Sequence, residues 1–449
     1  MNLLQRRIGL EQEFFLVDKS GMLCNRADEF LQSCHQIAKA QGYNPEYFVP
    51  EFVKSMVEIN TPPVYTPTGL AREYIKNVKI ALAGAQNVGL RLYPLSSYPL
   101  HTMPVMYDKP NYHIQARTVG YERFLHAGKC TGTHLHLEVP PGIIDSRVAV
   151  SYNSTPEERE ELLNIYNLAT ALDSALISLG RACPFYEGQA IGLASHTIRY
   201  RGSEKFGWEG VYTHLPAVGG LQPYAHCVES LVEQQFARYH AWLEAMDKAG
   251  VERHLFLEAG GSLLKSAWNP IRLNNLGTVE IRCIDSNYPL VILPVITLVY
   301  NAAHRVQQEK LKVRPAKELH LFDLDGNRLW VPDFEFLNGE LLYAAATEGV
   351  KNPKVKAYVD SILEFAIIDG GEGTKYLQNL RNDLDNYQTI EAKILQEFIP
   401  ANAELSLDDG LRLVLESCDK LEAQVALLDN EYPLIALDIT GELMSLSSC

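Results

Sequence analysis

The sequence predicts an α+β fold, and three observations carry the prediction. A helix signal opens at Thr66-Pro67-Thr68, Gly89 ends it, and residues 90–95 return as a strand. A second helix is announced by the capping box of Thr155-Pro156-Glu157-Glu158, with proline at the first helical position. Four short segments instead alternate polar and apolar residues with a period of two. They are Gly9–Glu13, Met56–Asn60, Gly132–Glu138 and residues 278–282. Glu11 and Glu13 therefore share a face, as do His134, His136 and Glu138, and as do Glu280 and Arg282. Val57, Ile59, Leu135, Leu137, Val279 and Ile281 take the opposite, apolar face. A buried sheet with one such polar face suits an acidic cup.

The elements follow in order. Residues 6–18 read as a strand, 28–41 as a helix and 52–60 as a strand. A long helix runs from Thr66 to about Asn87, and the strand at 90–95 follows. Residues 108–128 mix loop and helix, and 130–139 form the histidine-bearing strand. The helix capped at Thr155 runs to about Ala182. Residues 186–222 are glycine-rich and aperiodic, the pattern of a functional loop or lid. A helix is expected over 224–246, the last polar-faced strand over 277–285, and a core helix beginning at Pro294 and ending near Leu311. After Val313 a hairpin is expected, with residues 319–324 and 328–331 joined by Asp325-Gly326-Asn327. Residues 353–449 are mainly helical by period, with breaks at Gly370-Gly371 and Pro400. Residues 1–312 then make one core and 313–449 a C-terminal region.

Bulk properties narrow the function. A chain of 449 residues exceeds one small core. Its 47% apolar and 21% charged residues describe an ordinary globular protein. A net charge of −15 argues against nucleic acid as a partner, though local arginines can still hold an anionic small molecule. The eight cysteines form no CxxC pair, which removes zinc-finger and thioredoxin readings. The longest apolar run, near residues 288–303, is short and holds two prolines, so no membrane span is expected. Met-Asn-Leu-Leu-Gln-Arg-Arg runs straight into a strand without a signal-peptide pattern. The expectation is a cytoplasmic protein with reduced thiols.

The site candidates sit on the polar faces. Carboxylates on a central strand are costly unless a metal or an arginine compensates, which marks Glu11 and Glu13. His134, His136 and Glu138 on one face can bind a metal, and Gly128 and Gly132 allow a close approach. Glu280 and Arg282 suit a metal ligand beside a guanidinium that grips a carboxylate or phosphate. In the irregular loop, Arg199 and Arg201, near Ser195, suit a phosphate or carboxylate clamp. Asp369-Gly-Gly-Glu-Gly373 reads as a turn and not as a phosphate-binding loop, since no GxxxxGK[ST] occurs. His35, His101, His113, His126 and His240 read as structural or surface residues.

In order and spacing, these segments resemble the glutamate–cysteine ligase and carboxylate–amine ligase family, in its bacterial stand-alone branch. The residues that carry the resemblance are Gly9-Leu-Glu-Gln-Glu13, Val57-Glu-Ile-Asn-Thr-Pro-Pro63, Gly132-Thr-His-Leu-His136, Ala182-Cys-Pro-Phe185, Leu215-Pro-Ala-Val-Gly219 and Gly277-Thr-Val-Glu-Ile-Arg-Cys-Ile-Asp285. They span about residues 5–310. Two departures stand out: Cys183 replaces the family's usual serine, and Trp268-Asn-Pro-Ile-Arg272 matches the family's tryptophan-to-arginine stretch only loosely.

The resemblance implies a glutamine-synthetase-like core, in which an antiparallel sheet curls into a funnel with helices outside. It implies ATP-driven activation of a carboxylate, commonly the γ-carboxylate of glutamate, and capture by an amine, with release of ADP and phosphate. Glu11, Glu13, Glu58, His136 and Glu280 are then metal ligands for Mg²⁺ or Mn²⁺, with Glu280 also placed among the catalytic groups. Arg282 stabilises the acyl phosphate. His134, Arg199 and Arg201 contact substrate or nucleotide. The partners are small molecules, and a homo-oligomeric assembly stays open. Replacing Glu13 or Glu280 by Gln is expected to abolish amine-dependent ADP release with little loss of folding. Two other readings remain: a zinc-dependent amidohydrolase built on His134 and His136, and a non-catalytic relative that binds a ligand.

Overall fold

A computed structural model describes residues 6–192, 194–367, 374–386, 389–398 and 404–440. Seven strands form the main sheet: β1 (Ile8–Val17), β2 (Phe48–Pro50), β3 (Met56–Asn60), β4 (Arg91–Tyr93), β5 (Gly132–Glu138), β6 (Ile271–Asn274) and β7 (Thr278–Asp285). Their order is β6-β7-β5-β1-β3-β2, with β4 paired to β1 beyond β5, and every pairing is antiparallel. The principal helices are α1 (Ala27–Ala40), α2 (Pro67–Asn87), α3 (Pro110–Val119), α4 (Pro156–Gly180), α5 (Val228–Lys248), α6 (Pro289–Gln308), α7 (Pro353–Ala366), α8 (Thr374–Asp385), α9 (Ile390–Glu397) and α10 (Leu407–Thr440). The α+β expectation holds: an antiparallel sheet carries its helices on the apolar face.

Register does what strand parity promised. Glu11 lies opposite His134 on β5 and Asn60 on β3, and Glu13 opposite Glu58. His136 lies opposite Glu280, and Glu280 opposite Arg272 on β6. One row of polar residues thus crosses five strands on a single face. The other face buries Leu10, Val57, Ile59, Leu135, Leu137, Val279 and Ile281. Helices α2, α4 and α6 pack there. Gln12 points into this core without penalty, because its amide donates to the Asn287 carbonyl at 2.7 Å and its oxygen accepts from Tyr74.

The caps read from sequence are present. Thr66 and Thr155 accept from the backbone of their third helical residues, and Glu158 closes the capping box. Helices α4 and α6 are long and apolar enough to cross a membrane, yet the most apolar stretch of α4 is 100% buried in the fold and that of α6 72%.

Three details depart from expectation. Helix α6 starts at Pro289, and Pro294 sits inside it rather than at its start. Pro289 fits the first turn, where its missing N–H costs nothing, while Pro294 removes only one interior hydrogen bond. Strand β6 was not foreseen; it is four residues long and follows Pro270 directly. The hairpin after residue 313 is part of a three-stranded sheet, in which Lys312–Ala316 pairs in parallel with Arg328–Pro332. Parallel pairing is long-range and leaves no turn signal.

Beyond residue 350 the described residues are mainly helical and pack back on the core. Arg91 of β4 pairs with Asp419 and Glu422 of α10 at 2.6 and 2.7 Å. Arg181, at the end of α4, forms a fully buried pair with Glu391 of α9. The Gly370-Gly371 and Pro400 breaks and the 369–373 turn lie outside the described residues.

Candidate active site

The polar row makes a cup whose two halves differ in charge balance. At the compensated end, Glu280 is completely buried. Arg272 holds it bidentately, Nε to Oε2 at 2.6 Å and Nη2 to Oε1 at 3.0 Å, and Asn274 adds a further donor. Arg282 Nη1 donates to Oε1 at 2.6 Å. Burial alone would raise the Glu280 carboxyl, but Arg272, Arg282 and His136 outweigh it and hold it well below the usual range.

Glu11 lies at the centre. His134 Nδ1 is 3.3 Å from one oxygen and His136 Nε2 3.2 Å from the other. Burial pushes the Glu11 carboxyl up, yet the two imidazole contacts win and keep it ionised. His136 is correspondingly raised despite burial, by Glu11 and Glu280. Its Nδ1 is fixed by Thr278 Oγ1 at 2.8 Å, which leaves Nε2 for the cup.

The other half is uncompensated. Burial and then Glu11, Glu51 and Glu13 push Glu58 well above the normal carboxylate range. Burial, with Glu13 beside it, pushes Glu51 up to about 8. Glu13 is positioned by the Gly132 N–H, which donates to its Oε2 at 2.7 Å. Carboxylates this close, with no lysine or arginine ion pair to them among the described residues, are the setting that a bound metal ion relieves.

The donor set fits one. Three groups, Glu11–His136–Glu280, Glu11–Glu58–His134 and Glu13–Glu51–Glu58, each bring their ligand atoms within 4.8 Å of one another. Mainly oxygen donors with imidazole at the edge suit Mg²⁺ or Mn²⁺.

Strand β7 carries a one-residue bulge at Arg282. Register shifts between Ile281 and Ile284, so Arg282 and Cys283 together lie opposite His134. Arg282 Nη1 comes within 3.3 Å of His134 Nδ1, and its buried Nε has no hydrogen-bond partner among the described residues.

Glu11, Glu13, Glu58, His134, His136, Glu280 and Arg282 thus come together. Arg199 and Arg201 do not join them. Arg201 is buried against Asp173 Oδ2 at 2.8 Å and Asn338 Oδ1 at 2.7 Å. Arg199 donates to the Glu209 carbonyl at 3.0 Å and lies 5.1 Å above the Tyr186 ring. From the same loop, His196 and Tyr200 face the cup instead, because residues 197–201 wind as a π-helical turn. Burial, with His134 and Arg282 near, lowers His196 to about 3.

Sequence reading also missed Glu51 and Arg272. Glu51 lies between two strands with no periodicity to mark it. Arg272 was given no role although it ends the loosely matching Trp268–Arg272 stretch and lies in the alternation Ile271-Arg-Leu-Asn274.

Two cavities meet at Glu11. One, of about 250 Å³, is bounded by Glu13, Glu51, Glu58, His134, His196, Tyr200, Arg272 and Arg282. The other, of about 380 Å³, is partly apolar, with Ile8, Leu10, Tyr47, Pro63 and Leu276 beside Asn60, His136 and Thr278.

Fold and site together define an α+β protein with an acid-faced antiparallel sheet. The chain belongs to glutamate-cysteine ligase family 2, which it matches over residues 7–334. Among solved structures it is similar to the glutamate–cysteine ligase of Francisella tularensis in complex with AMP. That similarity has 12% identity and a TM-score of 0.57, covering 99% of this chain and 95% of that one. It is also similar to a bifunctional glutathione synthetase from Pasteurella multocida, with 16% identity and a TM-score of 0.57. There it covers 94% of this chain but spans only 53% of the other. At these identities the likeness concerns the fold. No curated protein matches the chain.

Proposed function

We infer that the chain is an ATP-dependent carboxylate–amine ligase that forms an amide through an acyl phosphate. The carrying observation is a chain of three ligand groups, two sharing Glu11 and two sharing Glu58, beside an arginine pair anchored on Glu280. Family membership supports the class of reaction. Glutamate is the proposed donor, through its γ-carboxylate, and an amine such as an amino acid is the acceptor. A glutamine-synthetase-like funnel and a cytoplasmic location belong to the same reading, with residues 1–312 as the catalytic core and 313–449 as a hairpin plus mainly helical C-terminal region.

Glu11, Glu13, Glu58, His136 and Glu280, joined by Glu51, would hold Mg²⁺ or Mn²⁺. Such an ion, when bound, neutralises polyphosphate charge and orients the phosphates. The larger, partly apolar cavity suits the nucleoside of ATP, and the charged one the carboxylate. A carboxylate oxygen attacks the γ-phosphorus and ADP leaves. The amine nitrogen then attacks the acyl carbon, and phosphate departs with the C–O electron pair. Arg282 stabilises charge on the transferring phosphoryl group, held in its bulge by Glu280. His134 donates to substrate oxygen from the floor of the cup. Arg199 and Arg201 are assigned to holding the loop, given the partners they have.

The test is ADP release with Mg²⁺-ATP and glutamate fixed and amines varied, repeated without glutamate. Release that requires both supports the reading. Release that never depends on glutamate overturns the donor, and no release with any amine overturns the ligase.

A further inference from the structure

The two nitrogens of His136 have different surroundings. The residue is 5% exposed. Its Nε2 is buried and has no hydrogen-bond partner among the described residues, although Glu11 Oε1 lies 3.2 Å away. The ring shares a ligand group with Glu11 and Glu280, whose donor atoms lie within 4.8 Å of one another. An orphaned buried nitrogen between two carboxylates fits a metal ligand.

Imidazole binds a cation only through a nitrogen that carries no proton. In the neutral ring one nitrogen is protonated, and the hydrogen bond it makes decides which one that is. For Nε2 to be the ligand, the proton must sit on Nδ1, and Nδ1–H needs an acceptor. Thr278 Oγ1, 2.8 Å from Nδ1, can be that acceptor. A hydroxyl oxygen accepts a hydrogen bond, and a methyl group in its place cannot.

The β6–β7 hairpin holds Thr278 in place. Residues 275–277 join the two strands, and Gly277 takes φ +79°, the left-handed position that a loop of this length needs. The Gly277 N–H donates to the Asn274 carbonyl at 3.0 Å, and the Leu276 N–H to Asn274 Oδ1 at 2.9 Å. Thr278 then pairs with Asn274 on one side and Glu138 on the other. His136, opposite Glu280, is its diagonal neighbour on the same face. Asn274 Nδ2 meanwhile donates to Glu280. One turn thereby fixes both the imidazole and a carboxylate of the same ligand group.

We propose that Thr278 is a positioning residue of the metal centre. Its hydroxyl oxygen accepts from His136 Nδ1–H, selects that tautomer, and so presents Nε2 to a divalent cation shared with Glu11 and Glu280. The inference rests on the metal-binding part of the ligase reading above. Mn²⁺ is the probe, because imidazole suits it better than Mg²⁺, which gives up its waters reluctantly.

The experiment measures Mn²⁺ binding to the full chain by electron paramagnetic resonance, with neither ATP nor glutamate present. His136→Ala identifies the class of Mn²⁺ site that depends on the ring. Thr278→Val keeps the shape and removes the oxygen, and should weaken that class by about tenfold or more. Thr278→Ser keeps the hydroxyl and should stay within about threefold of wild type. In a His136→Ala background, Thr278→Val should leave the remaining binding unchanged, because it acts through the ring. Urea unfolding in chelator identifies folded variants, and Thr278→Ala or His136→Leu replaces one that does not fold. Unchanged binding in Thr278→Val, an equal loss in Thr278→Ser, or a further loss in the His136→Ala background overturns the assignment. So does His136→Ala that binds Mn²⁺ like wild type. Wild type that binds no Mn²⁺ overturns the assignment together with the metal cup. The expected Mn²⁺ pattern without ADP release from any amine supports the assignment and overturns the ligase reading alone.

Discussion

At the scale of single residues, charge balance separates roles that sequence alone treats alike. Glu13 and Glu280 both looked replaceable by Gln without harm to folding. The structure distinguishes them. Glu280 is sealed between Arg272 and Arg282. Glu280→Gln leaves two guanidiniums without their carboxylate and should cost about 3–5 kcal/mol of stability, read by urea denaturation. Glu13→Gln keeps an oxygen for the Gly132 N–H and should fold normally while losing amine-dependent ADP release. Arg282→Lys should lower kcat by about 10²-fold, since an ammonium cannot reproduce the fork.

Glu51 offers a test with a sign. Its folded value of about 8 lies above the unfolded value, near about 4.3. Its contribution to stability is therefore present below the unfolded value and is lost as pH rises through about 8. Without divalent metal, Glu51→Gln should melt higher than wild type at pH 8, and the gap should shrink towards pH 5. Thermal melts in chelator check this, and a gap that grows on acidification would contradict the electrostatic account.

At the scale of elements, what was legible was what is local. Glu11, Glu13, His134, His136 and Glu280 were found because strand parity needs only neighbouring residues. Arg272 escaped because its role depends on β6 meeting β7, a pairing set by register rather than by β6 itself. Glu51 escaped because it sits where no period runs. Arg199 and Arg201 drew attention through composition, but a π-helical turn rotates that loop, and His196 and Tyr200 face the cavity. Sequence periodicity cannot announce a π turn. The bulge after Ile281 is likewise a feature of pairing, though alternation alone had placed Arg282 beside Glu280.

The clamp between α4 and α9 belongs to this scale. Arg181 and Glu391 are both within 2% of full burial, far apart in sequence, and Arg181 Nη1 also caps the Ala345 carbonyl at 3.2 Å. Glu391→Ala should destabilise the protein by about 3–5 kcal/mol, measured by urea unfolding. A change under about 0.5 kcal/mol, the usual limit for surface substitutions, would show that the clamp does not tie the C-terminal helices to the core.

At the scale of the molecule, one sheet serves two purposes. Its apolar face is sealed by α2, α4 and α6. Its polar face gathers carboxylates at a density that an isolated surface would not sustain. The fold class and much of the polar row were readable because a sheet writes its faces into alternating residues. The division of the cup into a compensated and an uncompensated half was not readable, because it arises only when five strands are in register. The proposed phosphoryl transfer would use that division: the arginine-anchored end as a fixed site for developing negative charge, and the acidic end as a place for cations that escort a nucleotide.

The most direct measurement follows an oxygen atom. With glutamate labelled by ¹⁸O in its γ-carboxylate, Mg²⁺-ATP and hydroxylamine, an acyl-phosphate route transfers one carboxylate oxygen to the released phosphate. The account predicts phosphate carrying one ¹⁸O for each turnover, detected by mass spectrometry. Turnover that yields unlabelled phosphate would contradict it.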